Sequence, residues 1–361
     1  MPPKPRFHIP QTFAESLLAW NREKNRREMP WKGEKDPYKI WLSEIILQQT
    51  RVEQGLGYYQ RFVKAFPTVK KLAAAPEEKV FKLWEGLGYY SRCRNLIAAA
   101  KWIVHENKNV FPDNYEAILS LKGVGPYTAA AIASFAYNLP YAVVDGNVFR
   151  VLARVGGIDK ETDSTAGKKF FTELAQNLLD KKDAGVYNQA IMDFGATICK
   201  PTAPLCSDCV FRKKCFAYLN DQVAALPLKK KKIGIKKRWF SYVMLEYGNR
   251  VAIRKRAAKD IWNGLYEGWL YESKSDPGQQ ALLLQLQKEK LIGKKGYTVE
   301  SVSEVYKQQL THQTIQGRFY VIRIQEQPEG WEWIWVEKRK LGGYAFPRFI
   351  NQFFENVNTN T

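Results

Sequence analysis

Residues 229–238, KKKKIGIKKR, place seven cations in ten positions, a run that no apolar core accommodates. The run reads as a linker, and it separates two stretches of different periodicity. Before it, over residues 12–220, apolar side chains recur at three- and four-residue spacing through FAESLLAW, IWLSEIIL, RNLIAAAKWIV and YTAAAIASFAY. That spacing predicts amphipathic helices, punctuated by Pro37, Pro67, Pro76, Pro112 and Pro140. After it, WFSYVMLEY, GN and RVAIRKR predict a strand, a turn and a strand. GQQALLLQLQKEKL predicts a helix, RFYVIRIQ and EWIWVEK further strands, and PRFINQFFENV a closing helix. The expected architecture is a mainly α domain over residues 1–220, a basic linker over 221–237, and an α+β domain over 238–361. GLGYY occurs at 55–59 and at 86–90, but the flanks do not match, so it is an echo and not a duplicated unit.

The 361 residues carry 56 Lys and Arg against 36 Asp and Glu, a net charge of +20. An excess of that size points to a polyanionic partner, nucleic acid foremost; a merely soluble basic protein is the plain alternative. No apolar run reaches membrane-spanning length, and MPPKPRFHIP reads as a loose basic arm without the apolar centre of a signal peptide. The cytoplasm is therefore expected, where disulfides rarely persist. With only His8, His105 and His312 present, a histidine-centred catalytic scheme is poorly supplied.

Four of the five cysteines, Cys199, Cys206, Cys209 and Cys215, follow the pattern C-x6-C-x2-C-x5-C. Four thiolates in one short loop suit zinc or an iron–sulfur cluster equally by spacing, with a disulfide pair as a weaker reading. Arg212, Lys213 and Lys214 on that loop would face phosphates at little entropic cost. Cys93, alone in YYSRCRNL, reads as an apolar filler. In LKGVGPYTAA, Gly123 and Gly125 allow a tight turn whose amides converge before a helix, a seat for phosphate, though most such turns merely join helices. Asp145 and Asn147, in VDGNVF, fit a helix cap, and a cap can also be a rigid carboxylate kept ionised by the helix dipole. Helical spacing sets Glu44 beside Ile40, Leu47 and Gln48. Apolar surroundings would raise its pKa and suit a general acid; a carboxylate at the helix rim facing water is the alternative.

Taken in order, REMPWKGEKDPYKIWLSEIILQQTRV, LWEGLGYYSRCRNL, LKGVGPYTAAAI, VDGNVFRVLAR and the cysteine loop resemble the helix-hairpin-helix DNA glycosylases of the endonuclease III superfamily. Within it they are most similar to the adenine DNA glycosylases (MutY type). The resemblance implies a [4Fe–4S] cluster on the four cysteines. It also implies excision of adenine mispaired with 8-oxoguanine or guanine in duplex DNA, by a monomer associated with the bacterial nucleoid. By position, Glu44 would protonate the flipped adenine and Asp145 would stabilise the cationic sugar, with Tyr127 and Asn147 orienting them. Arg27, Trp31 and Gln189 would wall the adenine pocket. Gln49, Thr50, Leu87 and Tyr89 would enter the duplex, with Gly123 and Gly125 at its backbone.

Tyr127 stands where bifunctional relatives carry a lysine, so the resemblance implies base release without strand cleavage. The second domain resembles the family's Nudix-like lesion-recognition domain. Its helix lacks the paired glutamates of a magnesium-dependent hydrolase. Leu310, Thr311 and His312 occupy the place of an aromatic–Ser–His motif; a buried structural His312 is the alternative. Rival readings are a bifunctional or thymine-directed glycosylase, a damage-binding protein without chemistry, and a zinc-stabilised RNA binder.

Overall fold

The computed structural model describes residues 8–230, 234–257, 260–328, 330 and 332–359. Residues 1–7 of the basic arm and 231–233 of the basic run lie outside the described residues. Helices α1 (Phe13–Glu23), α2 (Pro37–Leu47), α3 (Val52–Ala65), α4 (Val69–Ala73), α5 (Glu77–Trp84) and α6 (Tyr90–His105) come first. They are followed by α7 (Tyr115–Ser120), α8 (Pro126–Tyr137), α9 (Gly146–Gly156), α10 (Thr165–Leu178), α11 (Ala184–Thr197) and α12 (Phe216–Leu219). Strands β1 (Lys236–Tyr247), β2 (Arg250–Lys255), β3 (Tyr266–Glu267) and β4 (Trp269–Ser273) lead to α13 (Gly278–Lys288). Then come β5 (Tyr297–Val302), β6 (Tyr306–Gln309), β7 (Gln313–Ile324), β8 (Ile334–Glu337) and α14 (Arg348–Thr359).

Two compact units result: Met1–Ala74 with Asn95–Lys231, and Ala75–Arg94 with Lys232–Thr361. Helix α5 and the loop after it thus group with the strands, which helical periodicity along 12–220 does not reveal. In the first unit, α1, α9, α10 and α11 bury Leu17, Trp20, Leu152, Phe171, Tyr187 and Phe194 in one core. Helices α2 and α8 are apolar almost all round, and residues 40–46 and 128–134 are buried, as central helices require. Helix α2 starts on Asp36, which accepts from the Tyr38 amide at 2.9 Å, with Pro37 in the first turn. Helix α8 stops where Asn138 turns left-handed at φ 53°.

In the second unit, β1 lies between β7, to which it is parallel, and the antiparallel β2 and β4; the sheet order is β3-β2-β1-β7-β5. Val243, Leu245, Tyr320 and Ile322 from the sheet pack with Leu282 and Leu286 of α13.

The basic linker is shorter than the expected 221–237. Leu226 is buried in the first unit, and the Leu228 carbonyl accepts from the Thr162 amide at 3.0 Å. Lys236 and Lys237 already pair with Gln313 and Thr314 in the sheet. Arg238, the last cation of the run, is buried, because Asp260 and Glu272 lie 2.5 and 2.6 Å from its guanidinium. Two carboxylates offset the cost of removing that charge from water. Among the described residues no helix is long and apolar enough to cross a membrane.

Candidate active site

A cavity of about 460 Å³ in the first unit is lined by Arg27, Trp31, Glu44, Gln49, Thr50, Tyr127, Asp145, Asn147 and Gln189. Five separate stretches of sequence therefore meet at one place. Leu47 and Gln48, set beside Glu44 by helical spacing, and Met29, Val52, Val144 and Met192 complete its lining.

Glu44 sits in the middle of α2 and is only 7% exposed. Burial pushes its carboxyl up to about 7, the nearby Asp145 pushes the same way, and a hydrogen bond with Tyr127 opposes them. A carboxyl half protonated at neutrality is what an acid working there needs. Tyr127 lies in the first turn of α8, after Gly125 and Pro126. Burial first, then the charge of Glu44, hold its phenol well above the ordinary tyrosine value, so it stays a neutral donor.

Asp145 caps α9. Its Oδ1 accepts from the amides of Asn147 and Val148, both at 2.8 Å, and its Oδ2 from Asn147 Nδ2 at 2.7 Å. The cap reading and the carboxylate reading thus hold together. The expected depression of its pKa by the helix end does not prevail: burial is the largest influence and raises it, against the three N–H donors and Arg150. All three bonds are donated to Asp145, the pattern of an ionised acceptor. Asn147 Oδ1 accepts from Arg150 at 2.8 Å, and Arg150 also donates to the carbonyls of Gly195 and Cys199, each at 2.7 Å. Gly195 permits this approach, since a Cβ there would stand 2.6 Å from Asn147 Cβ.

Asp193, on α11, belongs to none of the sequence motifs named above. It is fully buried and accepts from Asn25 (2.8 Å), Arg27 (2.9 Å), Lys32 (3.0 Å) and Gln189 (2.9 Å). It therefore fixes two of the three residues assigned to the pocket wall. The signal was an acid four residues after Gln189 on an otherwise apolar helix face.

In the hairpin between α7 and α8, Gly123 has φ +84° and a Cβ there would meet Asn95 at 2.6 Å. Gly125 differs from expectation: its φ of −101° suits any residue, and an added Cβ would touch nothing within 4 Å. Its smallness leaves open space at the helix mouth. Gln49 is exposed in a left-handed conformation, φ 55°, and Thr50 is half-buried.

The second unit holds its own cavity, about 470 Å³, lined by Leu87, Tyr89, Leu310, Thr311 and His312 among others. Gly86, Gly88 and Tyr89 all have positive φ, and the turn they make exposes Tyr89 while burying Leu87. Core packing therefore describes Leu87 better than an exposed wedge does. Tyr89 and Thr311 hydrogen-bond through their hydroxyls. His312 is exposed, so the buried structural alternative does not apply; its carbonyl accepts from the Lys236 amide at 3.1 Å.

Cys199, Cys206, Cys209 and Cys215 form no disulfide and line one cavity with Arg154, Phe194 and Ile198. Arg154 donates to Cys199 Sγ at 3.6 Å and to the Lys200 carbonyl at 2.7 Å, and its own carbonyl lies 3.4 Å from Cys215 Sγ. Four convergent thiols with a cationic donor to sulfur fit an iron–sulfur cluster. Among the described residues no group of three or more His, Cys, Asp or Glu side chains is placed to hold a metal ion. Arg212, Lys213 and Lys214 are exposed on this loop, and Cys93 is fully buried.

Residues 42–176 match the family model of the HhH-GPD superfamily of base excision DNA repair proteins, and residues 241–356 match that of the NUDIX domain. The chain is 36% identical over 255 residues to the adenine DNA glycosylase of Buchnera aphidicola subsp. Baizongia pistaciae, covering 70% of this chain and 72% of that one. It is 41% identical over 227 residues to the adenine DNA glycosylase of Mus musculus, covering 60% and 44%. A solved thermostable thymine-DNA glycosylase matches with a TM-score of 0.52 at 29% identity, over 58% of this chain and 95% of that one. An endonuclease III in non-covalent complex with DNA shares the fold, with a TM-score of 0.50 at 18% identity over 58% and 94%.

Proposed function

The chain belongs to the adenine DNA glycosylase family of base-excision repair, and we propose that it is a monofunctional enzyme excising adenine opposite 8-oxoguanine or guanine. The observation that carries this reading is the pairing of two carboxyls in one cavity. Glu44 is buried and titrates at about 7, whereas Asp145 is surrounded by N–H donors. Such a pair divides acid and stabiliser roles between chemically identical groups.

An adenine flipped into the cavity would meet Arg27, Trp31 and Gln189, with Asp193 holding Arg27 and Gln189 in place. Glu44 gives its proton to the purine ring, the C1′–N9 bond breaks, and its electrons leave with the base. Asp145 balances the positive charge developing on the sugar. Water supplies the hydroxyl, and its remaining proton returns to Glu44. Tyr127 donates to Glu44 and, as a phenol, forms no Schiff base, so the strand stays intact.

Cys199, Cys206, Cys209 and Cys215 would hold a [4Fe–4S] cluster, which would brace the basic loop Arg212–Lys214 against phosphates. Arg150 and Arg154 support that loop from α9. In the second unit, Tyr89 and Thr311 form a polar edge for the opposite base. Leu310 offers no ring to stack on it.

Single-turnover assays on a panel of mismatched duplexes test the reading. Adenine should be released fastest opposite 8-oxoguanine, with no borohydride-trappable complex. Faster thymine release, or a trapped covalent adduct, would contradict it. Visible absorbance and an iron assay on the purified protein test the cluster; a colourless, iron-free protein rejects it.

A further inference from the structure

A second cavity in the first unit, about 230 Å³, shares Trp31, Glu44 and Gln189 with the candidate active site. Helix geometry explains why Glu44 borders both. Ile40, Ser43, Glu44 and Leu47 follow one face of α2; Ile40 and Ser43 line the second cavity and Leu47 the first. Gln49, Thr50, Asp145 and Asn147 line only the first. The rim of the second cavity reaches solvent at Gly33, Lys35 and Val186, which are exposed, Val186 by 48%.

Hydrolysis consumes one water for each base released, and on that reading a flipped nucleotide would fill the first cavity while duplex would cover its mouth. We propose that the second cavity is the water entrance, delivering the hydrolytic water to Glu44 from the side that DNA does not cover. The inference rests on the glycosylase reading above. A water needs about 30 Å³ and two to four polar partners, and this cavity offers both. Ser43 Oγ donates to the Ile40 carbonyl at 2.8 Å and keeps its acceptor sites. Lys32 Nζ bonds the Arg27 carbonyl at 2.8 Å and Asp193 at 3.0 Å, leaving one hydrogen to offer. Bonded through its oxygen to C1′, the water gives one proton to the Glu44 carboxylate, replacing the one that left with the base.

Methanol serves as the probe, because it competes with water at C1′: its oxygen bonds the carbon, its hydroxyl proton passes to Glu44, and a methyl glycoside replaces the abasic product. Val186→Trp and Val186→Ala narrow and widen the rim without touching the first cavity. Wild type and both variants are compared in single turnovers on an adenine:8-oxoguanine duplex with added methanol. Val186→Trp should lower the ratio of methyl to hydrolysed product by about fivefold, a difference near 1 kcal/mol in barrier, while duplex affinity stays unchanged. Val186→Ala should keep or raise it. A general distortion of the fold slows both products and leaves the ratio alone. An unchanged ratio in Val186→Trp, at whatever rate, overturns the proposal, as does a failure of wild type and Val186→Ala to form any methyl product. If wild type releases no adenine, the glycosylase reading itself fails; if it does and the ratio is unmoved, only the entrance fails.

Discussion

The two large cavities are of similar size, about 460 Å³ in the first unit and 470 Å³ in the second, yet they are built from opposite materials. The first takes its two carboxyls and its phenol from helices: Glu44 from α2, Tyr127 and Asp145 from the mouths of α8 and α9. The second takes Tyr89, Thr311 and His312 from turns, the 86–90 loop and the tip between β6 and β7. Helix-mounted carboxyls can be buried and their pKa values moved, because the surrounding core holds them against water. Turn-mounted hydroxyls stay at the surface, where shape and hydrogen bonding select a ligand. The contrast assigns chemistry to one cavity and recognition to the other, and substitutions should separate them.

The largest effect is expected from Glu44→Gln, which keeps the shape and removes the proton. Base release should fall by about 10²–10⁴-fold, the usual weight of a positioned acid, while duplex binding is retained. With wild type, release should decline as pH rises through about 7, because the active form is the protonated one. A single-turnover pH–rate profile checks both; a flat profile above 7 would remove Glu44 from the chemistry. The second-unit counterpart is Tyr89→Ala. The change removes the hydroxyl bonded to Thr311 and with it the polar edge, so preference for 8-oxoguanine over guanine should drop roughly tenfold with little change on the guanine duplex. An equal loss on both duplexes would erase the proposed division.

GLGYY shows how far such a division is legible in sequence. The copy at 55–59 lies inside α3, where Tyr59 packs edge-on against Trp31, with centroids 5.3 Å apart. The copy at 86–90 forms a turn with three positive φ values and exposes Tyr89. Five identical residues carry no instruction to differ; the cation and acid before the first copy start a helix, whereas the second follows the end of one. Glu44 and Asp145 were readable because helical period and capping are local rules. Asp193 leaves only a faint local sign, an acid one helical turn after Gln189, because its importance arises from partners more than 160 residues away, Asn25, Arg27 and Lys32. The meeting of Tyr89 with Thr311, 222 residues apart, was invisible. Charge alone makes the linker too long, because it does not reveal that Asp260 and Glu272 pair with Arg238.

A smaller shift tests the coupling inside the first cavity. Tyr127's hydrogen bond lowers the Glu44 pKa against burial, so Tyr127→Phe should raise it. The descending limb of the pH–rate profile should then move to higher pH, with the rate below it altered only a few-fold. A limb that moves down would mean that Tyr127 supports the neutral acid and not its anion.

The smallest effect belongs to the second cavity. Thr311→Val keeps the shape of the side chain and deletes the hydroxyl bonded to Tyr89. One such bond contributes about 0.5–1.5 kcal/mol, so lesion preference should fall two- to tenfold, roughly, with adenine release from a guanine mispair unchanged. Tyr89→Phe should do the same, since it deletes the other half of the pair. Because both act through one bond, the double variant should be no worse than either single one. Additive losses would mean that the two hydroxyls reach the opposite base separately. Tyr89 and Thr311 would then be two contacts, and the turn-built cavity would recognise its ligand without prior assembly.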